Sequence, residues 1–275
     1  MKPISACLIV RNEERCLARC LSSLDSGWEK IVVDTGSTDK TIEIAKAHGA
    51  KVYHFEWIDD FSAARNFGLD KAQRAWIFQI DADEWLEPGI AGKINQLVKM
   101  DRFAAFEVLQ ISQQPGPLKQ VICPSFRLFH NHPLIRFVFP GHEQVAYAID
   151  KYCKDRGYEN ARAPEIRLQH DGYEGERGPA KTERAIPLIE KALEQYPDRS
   201  YLWAKYAQLM YQKKRSEDEF KALLKCVENL SKWKVLPEVE QGAVERFKIL
   251  CEARGIKSPV PIPLLPRERV LNVRA

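Results

Sequence analysis

Two aspartates separated by one residue follow an apolar run, in the sequence Asp81-Ala82-Asp83-Glu84. Carboxylates at this spacing can both reach a single bound cation or its ligand. Hard divalent cations prefer oxygen ligands, and magnesium commonly takes one or two carboxylates together with substrate phosphates. Such an ion stabilises a diphosphate leaving group, because negative charge builds on its oxygens as the bond breaks. The spacing alone is also typical of a solvated acidic turn.

A second carboxylate with binding potential is Asp34, which ends another apolar run and is followed by Thr-Gly-Ser-Thr-Asp. Gly36 permits a tight turn, and Ser37 or Thr38 can cap the next helix. A well-formed strand-to-helix turn explains the glycine and the hydroxyls, but it does not require the carboxylate. An aspartate at this place can accept hydrogen bonds from a base or a ribose.

Alternating strand and helix patterns over the first hundred residues would bring these carboxylates together. The predicted apolar strands are 4–10, 31–33, 51–55 and 76–80. Asn12 is the predicted N-cap of the first intervening helix. Continuous apolar strands separated by helices indicate a parallel sheet covered on both faces, and such sheets bind ligands beyond the carboxyl ends of their strands. We therefore expect Val10, Asp34 and Asp81 to lie along one edge.

Beyond residue 100 the pattern changes. Aromatic-rich segments predict antiparallel or mixed strands at 103–111, 120–130 and 135–139, and residues 165–170 predict one more strand. From about residue 179 the pattern is helical, and apolar positions 186, 189 and 193 recur at 220, 223 and 227. This offset suits tetratricopeptide (TPR)-like repeats, although an ordinary helical tail fits as well. We expect an α/β domain at 1–178, a helical TPR-like tail at 179–258 and a Pro-rich extended C-terminus at 259–275.

The composition argues against several classes of protein. The net charge of +4 is too small to suggest nucleic-acid binding. No stretch reaches the roughly 18 apolar residues of a membrane-spanning helix, although peripheral membrane contact stays open. The seven cysteines are scattered without a CxxC pair, which disfavours a disulfide framework or a zinc site. We therefore expect a cytoplasmic protein without a membrane span.

Taken together, the polar clusters closely resemble the motifs of glycosyltransferase family 2, in the family's order and at family-like spacing. The motifs are Val10-Arg11-Asn12-Glu13-Glu14, Asp34-Thr35-Gly36-Ser37-Thr38-Asp39, Asp60-Phe61-Ser62-Ala63-Ala64-Arg65-Asn66 and Asp81-Ala82-Asp83-Glu84. The resemblance implies a GT-A fold, a Rossmann-like mixed sheet with helices on both faces. It also implies an inverting transfer from a nucleoside-diphosphate sugar, with a UDP-sugar favoured. The Ser-Ala-Ala-Arg-Asn form is similar to the branch of sublancin-type peptide S-glycosyltransferases, which tend to carry a helical-repeat tail.

The same resemblance implies a set of residues that bind the nucleotide sugar. They are Val10, Arg11, Glu13, Asp34, Arg65, Asp81, Ala82 and Asp83. Asp34 would bind the base, with Glu13 beside the nucleoside and Arg65 near the base or the diphosphate. Asp81 would bind the ribose and Asp83 the metal.

Glu143 is the candidate general base for the acceptor. Many family members place a Glu-Asp or similar acidic pair after the metal motif, but residues 100–180 contain no Glu-Asp dipeptide. Here Phe-Arg-Leu-Phe at 126–129 is followed by Gly141-His142-Glu143, which resembles the pattern of the branch. An inverting transfer needs one carboxylate near the acceptor nucleophile. Glu143 could instead be a surface or structural carboxylate, with His142 as the less favoured substitute.

His170 is the candidate second metal ligand, at the end of a predicted strand. GT-A enzymes often supply a late histidine to the metal or the pyrophosphate, and the branch has a similar His-x-Gly-Tyr. Neutral imidazole is a competent manganese ligand, although a lone histidine is more often simply hydrogen-bonded. Asp171 is the alternative. The implied cofactor is Mn²⁺ or Mg²⁺, held by Asp83 and His170.

The favoured hypothesis is a metal-dependent inverting glycosyltransferase that acts on a glycan, peptide or small-molecule acceptor. The alternative is a catalytically degenerate GT-A scaffold whose helical tail recruits partners, although the intact Asp34, Asp81 and Asp83 argue against it. A nucleotidyltransferase would need a Gly-rich triphosphate loop near the N-terminus, and none is present. The tail could also form a homodimer.

Overall fold

The computed structural model describes residues 3–113, 120–171, 177–230 and 238–259. The chain divides into two compact units, residues 1–180 and 181–275. Except for Pro259, the predicted Pro-rich C-terminus lies outside the described residues, as do residues 172–176 after Asp171.

The first unit contains an eight-stranded sheet whose strands are ordered β3-β2-β1-β4-β7-β6-β8-β5. Its parallel half consists of β1 (Ile4–Val10), β2 (Glu29–Asp34), β3 (Lys51–His54) and β4 (Trp76–Gln79). The helices of this half are α1 (Leu17–Ser23), α2 (Thr41–Ala47) and α3 (Phe61–Lys71). Alternate residues of a strand point to opposite faces, so Leu8 packs with α1 while Cys7 packs with α3.

The other half of the sheet is mixed. It consists of β5 (Glu84–Leu86), β6 (Phe103–Gln113), β7 (Gln120–His130) and β8 (Glu159–His170), with helices α4 (Ile90–Leu97) and α5 (Ala146–Arg156). β7 is antiparallel to both β4 and β6, and β8 is parallel to β6 but antiparallel to β5. The predicted mixed sheet with helices on both faces is confirmed.

The predicted strand at 135–139 is wrong. In this segment the backbone forms one isolated bridge, between Val138 and Gln144, and no regular strand. Ile135, Phe137 and Phe139 are nevertheless buried, which explains the apolar pattern. Burial of alternate side chains therefore gives this segment the sequence pattern of a strand. Its main chain is hydrogen-bonded to side chains of α3 and not to a neighbouring strand.

The predicted start of the first helix is also wrong. Asn12 is not an N-cap, because α1 begins at Leu17. Asn12 adopts a left-handed φ of 55°, which asparagine tolerates better than most residues, and its side chain accepts a hydrogen bond from Thr38 N at 2.8 Å. Likewise, neither Ser37 nor Thr38 caps α2, which begins at Thr41. These polar side chains join two loops to each other.

The second unit is helical, as predicted. Its helices are α6 (Arg177–Gln195), which begins in the first unit, α7 (Ser200–Gln212), α8 (Ser216–Leu230) and α9 (Glu238–Ala253). The predicted 34-residue offset relates α6 to α8, where Ile189 and Leu223 are both buried. The core between α7, α8 and α9 includes Phe247, which stacks on Phe220 with 5.4 Å between ring centroids.

Candidate active site

The carboxyl ends of β1, β2 and β4 meet at one edge of the parallel half, as predicted. Val10 lies opposite Asp34 in the register, and Thr35 N donates to Val10 O at 3.0 Å. On the other side of β1, Ile80 N donates to Cys7 O at 3.2 Å, so the residues that follow β4 reach the same edge. We call this row of strand ends the nucleotide edge, after the role that the family resemblance predicts for it.

Asp34 is held by the turn that it begins. Its side chain is buried, and its carboxylate accepts hydrogen bonds from Gly36 N at 3.2 Å and Ser37 N at 3.1 Å. Gly36 has a φ of 104°, a conformation that favours glycine. His54 Nδ1 lies 3.6 Å from Asp34 Oδ2. Asp34 therefore stabilises this turn, and it also lies at the nucleotide edge.

The loop after β1 is bound to the loop after β2. Asn12 N donates to Ser37 Oγ at 3.0 Å, and Glu13 N donates to Thr41 Oγ1 at 2.7 Å. The side chain of Glu13 contacts Cys16, whose Sγ lies 3.1 Å from Oε2. Arg11 is exposed at the same place. These contacts bring the segment from Val10 to Glu13 close to Asp34, and the role of these residues in nucleotide binding stays a prediction.

Asp81 lies between two arginines. Arg65 Nη2 donates to Oδ1 at 2.9 Å, and Arg127 Nη1 lies 3.4 Å from Oδ2. Burial alone would raise the pKa of Asp81, but the two guanidinium groups outweigh it and hold this pKa well below its usual range. Asp81 is therefore an anion whose two oxygens are oriented by different elements, α3 and β7.

Glu84 supports this arrangement from within the core. Its side chain is fully buried and accepts hydrogen bonds from Arg127 Nη2 at 2.7 Å, Gln110 Nε2 at 2.8 Å and Asp81 N at 2.8 Å. Burial raises the pKa of Glu84 to about 7, although Arg127 favours the carboxylate. Glu84 thereby fixes both Arg127 and the main chain at Asp81.

Glu143 joins the same network through Arg65. Arg65 Nε donates to Glu143 Oε1 at 2.7 Å, so one guanidinium group contacts both Glu143 and Asp81. The Arg65 side chain is 9% exposed and the Glu143 side chain 16%. The structure thus brings the candidate base beside the nucleotide edge, although the two carboxylates are 62 positions apart in the chain.

Asp83 and His170, the two predicted metal ligands, lie next to each other. His170 Nε2 is 3.5 Å from Asp83 Oδ2, because β5 and β8 pair with Glu84 opposite His170. Ser112 Oγ lies 2.8 Å from His170 Nδ1 and orients the ring, as partners of a ligating histidine commonly do. Asp171, the predicted alternative, forms an ion pair with Arg19, whose guanidinium lies 3.7 Å from the centroid of the Trp85 ring.

The donor set at Asp83 and His170 suits a cation that is shared with a substrate. Among the residues that the structure describes, no group of three or more His, Cys, Asp or Glu side chains could hold a metal ion by itself. One carboxylate and one imidazole nevertheless fit magnesium or manganese when diphosphate oxygens complete the coordination. The residues present therefore fit a substrate-completed metal site.

Two residues of this network were not predicted from the sequence. Arg127 and Glu84 were noted only as parts of motifs. Glu84 binds both Arg127 and the main-chain N–H of Asp81, and so holds Asp81 in place. A charged residue inside the apolar run Phe126 to Phe129 was the available signal for Arg127, since a buried charge needs a partner.

Residues 5–149, just over half of the 275-residue chain, match the family model described as Glycosyl transferase family 2. The chain belongs to glycosyl transferase family 2. The predicted family is confirmed, and the match includes all the motifs on which the prediction rested.

Two relatives share most of the length of this family 2 chain. A TPR repeat-containing protein of Synechococcus elongatus is 36% identical over 216 residues, which are 77% of this chain and 53% of that protein. The glycosyltransferase SunS of Bacillus subtilis is 25% identical over 238 residues, 84% of this chain and 54% of that one. The chain therefore spans about half the length of these curated relatives.

The fold is similar to that of glucosyl-3-phosphoglycerate synthase from Mycobacterium tuberculosis, solved with Mn²⁺, UDP and phosphoglyceric acid. The TM-score is 0.52 at 17% identity, and the likeness covers 70% of this chain and 78% of that one. At this identity the likeness concerns the fold, and the predicted GT-A fold is confirmed. Within the described part of the chain, no helix is both long and apolar enough to cross a membrane.

Proposed function

We propose that this family 2 chain is an inverting glycosyltransferase that moves a sugar from a UDP-sugar to a glycan, peptide or small-molecule acceptor. The observation that carries the proposal is the shared contact of Arg65 with Asp81 and Glu143. This contact supports the proposal because it connects Glu143, the proposed base, to Asp81 at the edge of the sheet where the donor is proposed to bind. Donor and acceptor chemistry would then take place within one connected set of charges.

The nucleotide edge supplies the donor site in this proposal. Asp34 accepts hydrogen bonds from the base and Asp81 from the ribose hydroxyls, with Glu13 beside the nucleoside. The main chain at Val10 and Ala82 and the side chain of Arg11 complete the site. A UDP-sugar is favoured because the structurally similar glucosyl-3-phosphoglycerate synthase was solved with UDP.

Asp83 and His170 would hold Mn²⁺ or Mg²⁺ against the diphosphate. When bound, the ion neutralises the charge that develops on the leaving diphosphate. Asp83 supplies a carboxylate oxygen, and His170 supplies Nε2, since Nδ1 is next to Ser112 Oγ. The support for a metal is this pair of donors, together with the Mn²⁺ in the similar structure.

Glu143 acts as the general base. Its carboxylate takes the proton from an acceptor hydroxyl or thiol, and the acceptor atom forms a bond to the anomeric carbon from the face opposite the diphosphate. The bond between the anomeric carbon and the diphosphate oxygen breaks, and UDP leaves with the electron pair. One displacement of this kind inverts the anomeric configuration.

Thermal unfolding in the presence of ligands tests the donor and metal sites together. A ligand that binds the native state raises the melting temperature. We expect UDP and at least one UDP-sugar to stabilise the chain, and Mn²⁺ to enlarge the shift. Asp83→Asn should abolish the Mn²⁺ effect, whereas the matched control Asp155→Asn, on the surface helix α5, should retain it.

The donor proposal is contradicted if no UDP-sugar changes the melting temperature, with or without Mn²⁺. A Mn²⁺ effect of wild-type size in Asp83→Asn would remove the metal role from Asp83 and leave the donor site standing.

A further inference from the structure

Glu143 lies in a short loop that the backbone closes on itself. Val138 N donates to Gln144 O at 2.9 Å, and Gln144 N donates to Val138 O at 2.9 Å. We call residues 138–144 the base loop. Two of its residues, Phe139 and His142, have left-handed φ values of 76° and 54°. Residues with a Cβ adopt this conformation rarely, so surrounding structure must hold the loop in place.

Helix α3 provides the contacts that hold the base loop. Ser62 Oγ donates a hydrogen bond to Phe139 O, and Phe61 N donates to Pro140 O at 2.9 Å. Just before the loop, Asn66 Nδ2 donates to Phe137 O at 3.0 Å, while Phe137 N donates to Asn66 Oδ1 at 2.9 Å. One amide side chain thus satisfies both backbone groups of Phe137, as a neighbouring strand would.

The residues that make these contacts occupy one face of α3. Ser62, Arg65 and Asn66 have the i, i+3, i+4 spacing that places side chains side by side on a helix. Ser62 and Asn66 bind main chain, and Arg65 binds the Glu143 carboxylate between them. The contacts therefore hold the residue just before the base loop, the main chain of the loop at Phe139, and its functional side chain.

Helix α3 is itself firmly placed. Asp60 caps its N-terminus by accepting from Ala63 N at 2.9 Å. Gly68 lies against β2, where an added Cβ would come within 3.1 Å of Val33 Cγ2. Because β2 ends at Asp34, the same strand contacts α3 and carries a residue of the nucleotide edge. A group held by α3 therefore keeps its position relative to the donor site.

We infer that Ser62 and Asn66 are positioning residues for the transfer reaction, acting through the base loop on Glu143. The inference rests on the proposed role of Glu143 as the base. It also explains why the motif at 60–66 contains a serine and an asparagine whose hydrogen bonds go to the segment around the base loop and not to the nucleotide edge. A displacement of about 1 Å in a catalytic group can cost on the order of 100-fold in rate.

The experiment measures UDP release from UDP-glucose and UDP-N-acetylglucosamine with Mn²⁺, using water as the acceptor, together with UDP affinity by calorimetry. We expect Ser62→Ala and Asn66→Ala to lower kcat by about 10- to 100-fold. UDP affinity should change by less than about threefold, since the contacts to Asp81 remain. Ser62→Thr, which keeps the hydroxyl, should restore most of the rate.

Asn131→Ala is the matched control. Asn131 Nδ2 also binds main chain, donating to Ala72 O at 3.0 Å and Arg74 O at 2.9 Å, but at the amino end of β4. This variant should lose a comparable amount of thermal stability while kcat stays within about twofold of the wild type. A similar fall in kcat for Asn131→Ala would show a general loss of structure and overturn the inference.

A double variant tests whether Ser62 acts through Glu143. If it does, Ser62→Ala should lower the residual rate of Glu143→Gln by less than about twofold, because effects on one functional unit are not additive. Hydrogen exchange of the 137–145 backbone should also become faster in Ser62→Ala and Asn66→Ala, and this readout does not depend on activity.

The possible failures are distinct. Wild-type protein that neither binds UDP nor releases it from either sugar would overturn the proposed function. Active wild-type protein with unchanged kcat in Ser62→Ala and Asn66→Ala would overturn the inference alone. The same holds if both variants lose UDP affinity instead of kcat.

Discussion

The carboxylate of Asp34 at the nucleotide edge and the carboxylate of Glu143 in the base loop are held in different ways. At the nucleotide edge, Asp34 is oriented by backbone N–H groups two and three residues ahead in its own turn. In the base loop, Glu143 is oriented by Arg65, which lies 78 positions earlier in the chain. A carboxylate of the first kind is placed as soon as its strand and turn form. One of the second kind is placed only when a helix and a distant loop pack together.

This difference predicts which half of the site is sensitive to substitution. Changes at Asp34 should act on donor affinity, because its own turn fixes this carboxylate locally. Changes in or around the base loop should act on turnover, because proton removal needs an accurate position relative to the acceptor.

The largest effect is expected for Glu143→Gln. The amide keeps the shape of the side chain but cannot take a proton, so UDP release should fall by about 100- to 10,000-fold. UDP affinity should remain near that of the wild type. Glu107→Gln is the matched control, since Glu107 also pairs with an arginine, Arg162, at 2.6 Å. Near-normal turnover in Glu143→Gln would assign the base role elsewhere, with His142 the next candidate to test.

A smaller effect is expected for Asp34→Asn. The side chain of asparagine still accepts one hydrogen bond through its oxygen, so the turn at Gly36 should form. Loss of the charge and of one acceptor should weaken UDP binding by about tenfold, roughly the 1.4 kcal/mol of a charge-assisted hydrogen bond. Calorimetry would measure this change, and kcat at saturating donor should stay within about threefold. A variant that loses kcat and keeps UDP affinity would reverse the contrast between the two regions.

The same contrast explains how much the sequence alone could predict. β1, β2 and β4 are continuous apolar runs that end on polar residues, so their existence and shared edge follow from local pattern and parallel-sheet geometry. The pairing of Asp83 with His170 was predicted only through the family resemblance, since it depends on β5, a three-residue strand too short to show a pattern.

The base loop could not be predicted in the same way. Its residues carry an alternating apolar pattern, and the backbone partners that α3 supplies are side-chain atoms, which periodicity does not reveal. α5 was also missed, because charged residues surround its buried face of Ile149, Tyr152 and Cys153. Glu143 was therefore identified by resemblance, and its contact with Arg65 came from the structure.

The smallest effect is expected in the pH dependence of stability, and it tests the link between the two regions. Burial opposes ionisation of Asp81, but Arg65 and Arg127 outweigh it and hold its pKa below the unfolded value of about 3.9. The contribution of the contacts between Asp81 and the two arginines to the free energy of unfolding is therefore fully present above about pH 4. It is lost as the pH falls below that value.

Asp81→Asn should remove this dependence. Between pH 5 and pH 3 the free energy of unfolding, measured with urea, should fall less steeply than in the wild type, by on the order of 1 kcal/mol. Asp70→Asn is the control, because Asp70 pairs with Arg136 at the surface, where ion pairs contribute little. If Asp81→Asn and the wild type had parallel profiles, the shared guanidinium of Arg65 would not couple Asp81 to the stability of the site. The two regions would then be neighbours without an energetic connection.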